Sequence, residues 1–201
     1  MKPIILASAS KIRAQLLHSA GLEIEILPSD VDEDDLKRVL SSQPSGLPGG
    51  GDLAEFLADA KATDISRKNS GRLVIGADQT LACGDTLFDK ARDLNDARKK
   101  LLALRGNTHA LYSALSCARD GNVIWRYSDV AYLTMREFSA EFLENYLALP
   151  GNDALDCVGG YKLEGQGVQL FEKITGDYFT ILGLPLLPLL AFFRTTGILK
   201  Q

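Results

Sequence analysis

Three sets of residues in this chain have side chains and spacings suited to phosphate chemistry. The first is the run Leu6-Ala7-Ser8-Ala9-Ser10-Lys11-Ile12-Arg13, a short apolar stretch leading into two serines and two cations. Where a strand feeds a helix, unpaired backbone N–H groups and the positive end of the helix dipole make a natural anion site. Ser8 and Ser10 add hydroxyl donors, and Lys11 and Arg13 add charge from the first turn. The alternative is that the serines only cap the helix while the cations are solvated.

Carboxylates form the second set. Asp30-Val31-Asp32-Glu33-Asp34-Asp35 places five acids within six residues, hard oxygen donors of the kind that hold Mg²⁺ or Mn²⁺ together with substrate phosphates. Equally, such a run can be a solvated acidic turn. Asp78 ends the apolar run Leu73-Val74-Ile75-Gly76-Ala77, the strand end at which open α/β sheets present ligand-contacting groups. A carboxylate there can bind metal or take a proton from water.

Lys61, Lys90 and Lys162 are the third set. Each alone reads as a surface lysine, but Lys162 lies between Gly159-Gly160 and Gly165-Gln166-Gly167, where glycines permit close approach of backbone to a ligand. No Walker loop and no Rossmann glycine fingerprint is present. His18 and His109 lack the partner spacing of a metal site or a triad and read as structural or exposed. Cys83, Cys117 and Cys157 are dispersed, without a Cys-x-x-Cys pair, which suits free, buried thiols in a reducing compartment.

The elements that must position these groups follow from periodicity. Pro3–Ala7 reads as a strand buried on both faces, followed by a helix to about Ala20 with Ile12, Leu16, Leu17 and Ala20 inward and Gly21 as its stop. Leu22–Leu27 alternates as a half-exposed strand. Ser41–Gly51 is a flexible loop by composition. Asp52 is expected to cap a helix with Leu53, Phe56, Leu57 and Ala60 on one face, and Leu73–Ile75 a strand ending at Asp78. A helix over Asp93–Leu104 precedes two long strands, Thr108–Ala118 and Val123–Thr134, joined at Asp120-Gly121. Ser139 caps a helix through Leu147 closed by Pro150. The last third reads as strand, Gly176-Asp177 turn, strand and an apolar terminal helix after Pro185. Crossover helices together with a hairpin predict an α/β protein with a mixed sheet.

Composition bounds the partners. In 201 residues, 22 Lys+Arg stand against 26 Asp+Glu, a formal charge of −4, which argues against a protein that coats a nucleic acid polymer. Ile181–Phe193, the most apolar stretch, is shorter than the ~20 residues of a membrane span and contains Pro185 and Pro188. A cytoplasmic protein is expected.

In order along the chain, these segments resemble the Maf family of nucleoside triphosphate pyrophosphatases. Leu6-Ala7-Ser8-Ala9-Ser10 with Arg13 resembles its opening signature, and Val31-Asp32-Glu33 its acidic motif. Lys61-Ala62, Ile75-Gly76-Ala77-Asp78 and Lys90 fall at further family positions. Gly160-Tyr161-Lys162-Leu163-Glu164-Gly165 and Gly183-Leu184-Pro185-Leu186 complete the order. The resemblance implies a two-lobed α/β fold, like that of inosine triphosphate pyrophosphatases, with a mixed twisted sheet flanked by helices and the site in a central cleft. It also implies hydrolysis of a nucleoside triphosphate to the monophosphate and pyrophosphate with a divalent metal, Mg²⁺ or Mn²⁺, often in a homodimer. By this likeness Asp78 is the catalytic base and Glu33 joins it in holding metal. Ser8, Ser10, Arg13, Lys61, Lys90 and Lys162 bind substrate.

Positions 12, 79 and 164 bear on the base. Gln79 and Glu164 resemble the branch that cleaves 7-methyl-GTP, and a carboxylate at 164 suits guanine N1–H, the exocyclic amine and a cationic methylated ring. Ile12 departs from that branch, which usually places Trp there, and leaves room for a dTTP or UTP enzyme. Asp89-Lys90-Ala91 departs from the family's Gly-Lys-Pro, and Ser41–Gly51 resembles an insertion. A third reading, a nucleotide-sensing division regulator with weak catalysis, has no need of the water-activating carboxylate at Asp78.

Overall fold

A computed structural model describes residues 3–42, 46, 48–149 and 154–200. It is a mixed α/β structure. The elements run β1 (Ile4–Leu6), α1 (Lys11–Ser19), β2 (Ile24–Ile26), α2 (Glu33–Ser41), α3 (Gly50–Lys68), β3 (Val74–Cys83) and β4 (Thr86–Phe88). They continue as α4 (Leu94–Leu104), β5 (Thr108–Arg119), β6 (Asn122–Met135), α5 (Ala140–Leu147), β7 (Phe171–Thr175), α6 (Tyr178–Ile181) and α7 (Leu186–Thr195). The strands form one seven-stranded sheet in the order β2-β1-β3-β5-β6-β7, with β4 paired to β3. β1 is parallel to β2 and to β3, whereas β4 and β7 pair antiparallel with β3 and β6. The sheet is therefore mixed, as the sequence predicts.

Two compact units divide the chain: residues 1–79, 112–129 and 183–201, and residues 80–111 and 130–182. The first buries Ile5, Ala7, Ile65 and Val74 around β1, α3 and β3, and Ala54, Ala58 and Ala114 between α3 and β5. In the second, Leu101 and Leu104 of α4 pack with Leu133, Phe138, Leu143, Tyr146, Tyr161 and Leu170.

Local chemistry explains where the structure departs from the periodicity. The acidic run opens a helix that the pattern missed: Asp32 is the N-cap of α2, and its Oδ1 accepts the Asp35 N–H at 2.9 Å. Glu33, Asp34 and Asp35 occupy its first turn, where the helix dipole favours negative charge. α3 starts at Gly50, so Asp52 lies in its first turn and is not its cap. β3 continues five residues past Asp78, because the chain there leaves the first unit and enters the second. Past Gly176 a four-residue helix, α6, replaces the expected strand, with Asp177 Oδ1 accepting the Thr180 N–H at 3.0 Å.

On α3, Leu53 and Leu57 are buried as expected, but Phe56 is exposed and Ala60 half-buried, because the helix face that meets the sheet runs through Ala54 and Ala58 instead. Ser139 caps α5, accepting from the Phe142 N–H at 3.1 Å, while Pro150 lies outside the described residues, as do residues 43–45 and 47 of the expected loop. In α1 only Leu17 of the residues expected inward is fully buried; Ala14 joins it, and Ile12, Leu16 and Ala20 are half-buried. Cys83, Cys117 and Cys157 are free thiols, of which Cys117 alone is fully buried. Among the described residues, no helix is long and apolar enough to cross a membrane.

Candidate active site

β1 ends at Leu6, fully buried, and the chain crosses Ser8 before α1 begins. Ser10 is the N-cap of α1, and its Oγ takes the Arg13 N–H at 3.5 Å. Ser8 has a different task. Its hydroxyl oxygen accepts from the Ser10 N–H at 3.3 Å and from Arg13 Nη1 at 3.2 Å. Arg13 also donates from Nη1 to the Ala77 carbonyl at 2.7 Å and from Nε to the Gly183 carbonyl at 2.8 Å. Thus the first turn of α1 is tied to β3 and to the turn before α7, all within the first unit.

Asp78 follows Ala77 on β3 and is 6% exposed. Its Oδ1 lies 2.5 Å from Lys61 Nζ, and the same ammonium is 2.6 Å from Glu33 Oε1. Three elements meet here: α2 supplies Glu33, α3 supplies Lys61 and β3 supplies Asp78. The approach of α3 to β3 depends on Gly76, since a Cβ there would lie 2.2 Å from the Ala58 carbonyl oxygen and 2.7 Å from the Ala62 nitrogen. The Lys-Ala pair at 61–62 and the Gly-Ala-Asp run at 76–78 are thereby one packed contact, with small residues letting the helix close on the strand.

Burial pushes the Asp78 carboxyl above the ordinary carboxylate range. Lys61 and Arg13 pull it back down, and the Glu33 charge adds to the upward push. The site thus holds two cations against two carboxylates in a poorly hydrated setting, which favours a carboxylate able to take a proton. Among the described residues, no group of three or more His, Cys, Asp or Glu side chains is arranged to hold a metal.

Gln79, next on β3, donates from Nε2 to Ser113 Oγ of β5 at 2.9 Å. Ser113 is fully buried, so it fixes the amide of a residue expected to bear on base choice. Ile12 lies in the first turn of α1, beside Lys11, which is exposed.

Lys90, Lys162 and Glu164 belong to the second unit. Lys90 pairs with Val158 in an isolated antiparallel bridge, and Lys100 Nζ donates to the Lys90 carbonyl at 2.9 Å. Burial pushes the neighbouring Cys157 thiol up, with Lys162 and Lys90 opposing that shift and Glu164 reinforcing it. These charged residues therefore gather around one short segment. Its backbone is held from the core: Tyr146 donates its hydroxyl to the Gly160 carbonyl at 3.2 Å, and His109 Nε2 lies 2.7 Å from the Tyr161 hydroxyl. Burial lowers the His109 pKa to about 4, and its Nδ1 is buried without a partner among the described residues.

Sequence reasoning singled out Asp78, Lys61, Glu33, Ser8 and Arg13, and the structure brings all five together. It missed Gly76, Ser113 and Gly183 as supports and left His109 between a structural and an exposed role, of which the structure shows the first. The two glycines lay within motifs already noted, so the signal was the glycine itself. Ser113 and His109 left no local signal, because their partners are 34 and 52 residues away in sequence.

The profile of the Maf-like protein family matches residues 3–196. A protein of Mesorhizobium japonicum named 7-methyl-GTP pyrophosphatase is 53% identical over 194 residues, 96% of each chain. One of the same name from Brucella abortus biovar 1 is 48% identical over 191 residues, covering 95% of this chain and 94% of that one. A Nitrobacter hamburgensis protein named nucleoside triphosphate pyrophosphatase is 47% identical over 199 residues, 99% of this chain and 96% of its own.

Proposed function

This chain belongs to the Maf family, and we propose that it is a nucleoside triphosphate pyrophosphatase, a hydrolase of acid anhydrides, acting on 7-methyl-GTP. The observation that carries the reading is the buried Asp78 carboxylate held between Lys61 and the Arg13 side of the site. Asp78 takes a proton from a water molecule as the water oxygen bonds to the α-phosphorus. The bond from that phosphorus to the α,β-bridging oxygen breaks, and pyrophosphate leaves with the electron pair. Lys61 offsets phosphate charge, and Ser8, Ser10 and the N-terminus of α1 orient phosphoryl oxygens; for Lys90 and Lys162, which belong to the second unit, phosphate binding rests on the family resemblance.

Glu33 and Asp78 would hold Mg²⁺ or Mn²⁺. Both carboxylates already converge on one cation, the Lys61 ammonium. A pair of carboxylates, in place of a protein cage, suits an ion that completes its shell with water and substrate phosphates. Such an ion supplies Lewis-acid stabilisation of the charge on the triphosphate.

For the base, Glu164 and Gln79 support 7-methyl-guanine, as do the names of two relatives at 48–53% identity. Ile12, which offers no aromatic face for stacking, favours the dTTP or UTP reading as the alternative. The test is a panel of 7-methyl-GTP, GTP, dTTP and UTP with Mg²⁺ or Mn²⁺ and chromatographic identification of products. Pyrophosphate and monophosphate from 7-methyl-GTP in preference to dTTP are expected; preference for dTTP or UTP would replace the substrate, and orthophosphate as the first product would overturn the reaction.

A further inference from the structure

We propose that Arg13 is a positioning residue: by binding the Ala77 and Gly183 carbonyls it holds the segment of β3 that carries Asp78. This deepens the reading of Asp78 as the base and rests on it. It also gives the Gly183-Leu184-Pro185-Leu186 motif a purpose that phosphate chemistry does not supply.

The geometry is specific. Nε and Nη1 of one guanidinium point to carbonyl oxygens from segments that are distant in sequence, at 2.8 and 2.7 Å, and Nη1 also meets Ser8 Oγ. A planar fork of fixed donors suits this task, which an ammonium on a flexible stem cannot reproduce. Gly183 adopts φ +82°, a conformation strained for other residues, and a Cβ there would lie 3.0 Å from Arg13 Nη2 and 3.2 Å from Nε. A side chain at 183 would therefore crowd the guanidinium as well as strain the turn. The bonded Ala77 carbonyl belongs to the peptide unit that leads directly into Asp78, so a shift of Arg13 moves the base.

The experiment compares wild type, Arg13→Gln and Arg13→Lys in the full-length chain. It uses Mg²⁺ and whichever of 7-methyl-GTP, GTP, dTTP and UTP the wild type cleaves fastest. Arg13→Gln is expected to lower kcat about 10- to 100-fold and keep KM within about threefold. Arg13→Lys, which keeps the charge but not the fork, should lose kcat to a similar degree. A rise in KM of about tenfold or more with kcat unchanged would make Arg13 a direct phosphate ligand and overturn the proposal, as would full kcat in Arg13→Lys.

Should Arg13→Gln not fold, Gly183→Ala displaces the guanidinium without removing a polar side chain. The same kcat loss, with KM within about threefold, is expected; wild-type kcat in folded Gly183→Ala protein would overturn the proposal. Turnover persisting in Asp78→Asn would instead remove Asp78 as the base, a failure distinct from that of the Arg13 contacts.

Discussion

The Lys61 ammonium lies 2.5 Å from Oδ1 of Asp78, in a contact where the two side chains are only 13% and 8% exposed. A pair so far removed from water has a large desolvation penalty to offset. Here the penalty prevails at Asp78, whose carboxyl is raised by burial despite its cationic neighbour. The arrangement therefore favours proton uptake at Asp78 over maximal stability.

Replacing Asp78 by Asn should separate those two properties. A raised carboxyl pKa in the folded state means stability is fully present below the unfolded value, ~3.9, and is lost as pH rises through the folded value. At neutral pH the ionised form is thus penalised, and Asn relieves that penalty. We expect kcat to fall about 10²- to 10⁴-fold, with the urea midpoint at pH 7.5 unchanged or higher. Near-wild-type turnover would remove Asp78 from the mechanism.

Gly76→Ala tests the packing that delivers Lys61. The added Cβ would meet the Ala58 carbonyl at 2.2 Å, backbone that can yield only by moving α3. A loss of about 1–3 kcal/mol is expected from such overpacking, measured by chemical denaturation. Activity should drop about 100-fold through misplacement of the ammonium. Wild-type stability and rate together would show that the close approach is dispensable.

His109 gives the second unit a pH-dependent stability. Its folded pKa of about 4 lies below the unfolded value of 6.5, so the unfolded chain binds more protons between those limits. Stability from this group is complete above pH 6.5 and is lost as pH falls towards 4, by on the order of 3 kcal/mol. Denaturation of wild type and His109→Gln at pH 7 and pH 4.5 checks this. The variant should lose less stability over that interval, and equal losses would dismiss His109 as the cause.

Glu164→Gln addresses base choice. Removing the carboxylate should reduce kcat/KM for 7-methyl-GTP relative to UTP by about tenfold, the scale of a hydrogen bond to a charged group. An unchanged substrate profile would count against a role for Glu164.

Most of the frame was legible in the sequence, for identifiable reasons. Asp93, Ser139 and the Asp120-Gly121 pair are local signals, and each marks an element boundary in the structure. α2 was missed because its acids read as metal ligands or a solvated turn, although Asp32 as cap followed by Leu36, Val39 and Leu40 carries a helical spacing. The extension of β3 beyond Asp78 was not legible, since buried Thr80 and half-buried Gln79 look like a strand end by polarity. At the site, Asp78, Lys61 and Glu33 stood out by type and order. Their shared contact depends on long-range packing at Gly76, which no local pattern encodes.

Single-turnover hydrolysis in H₂¹⁸O identifies the phosphorus that water attacks. With 7-methyl-GTP and Mg²⁺, attack at the α-phosphorus predicts one ¹⁸O atom in the monophosphate and none in the released pyrophosphate. Label in pyrophosphate, or in orthophosphate released first, would place the attack at another phosphorus and contradict the account.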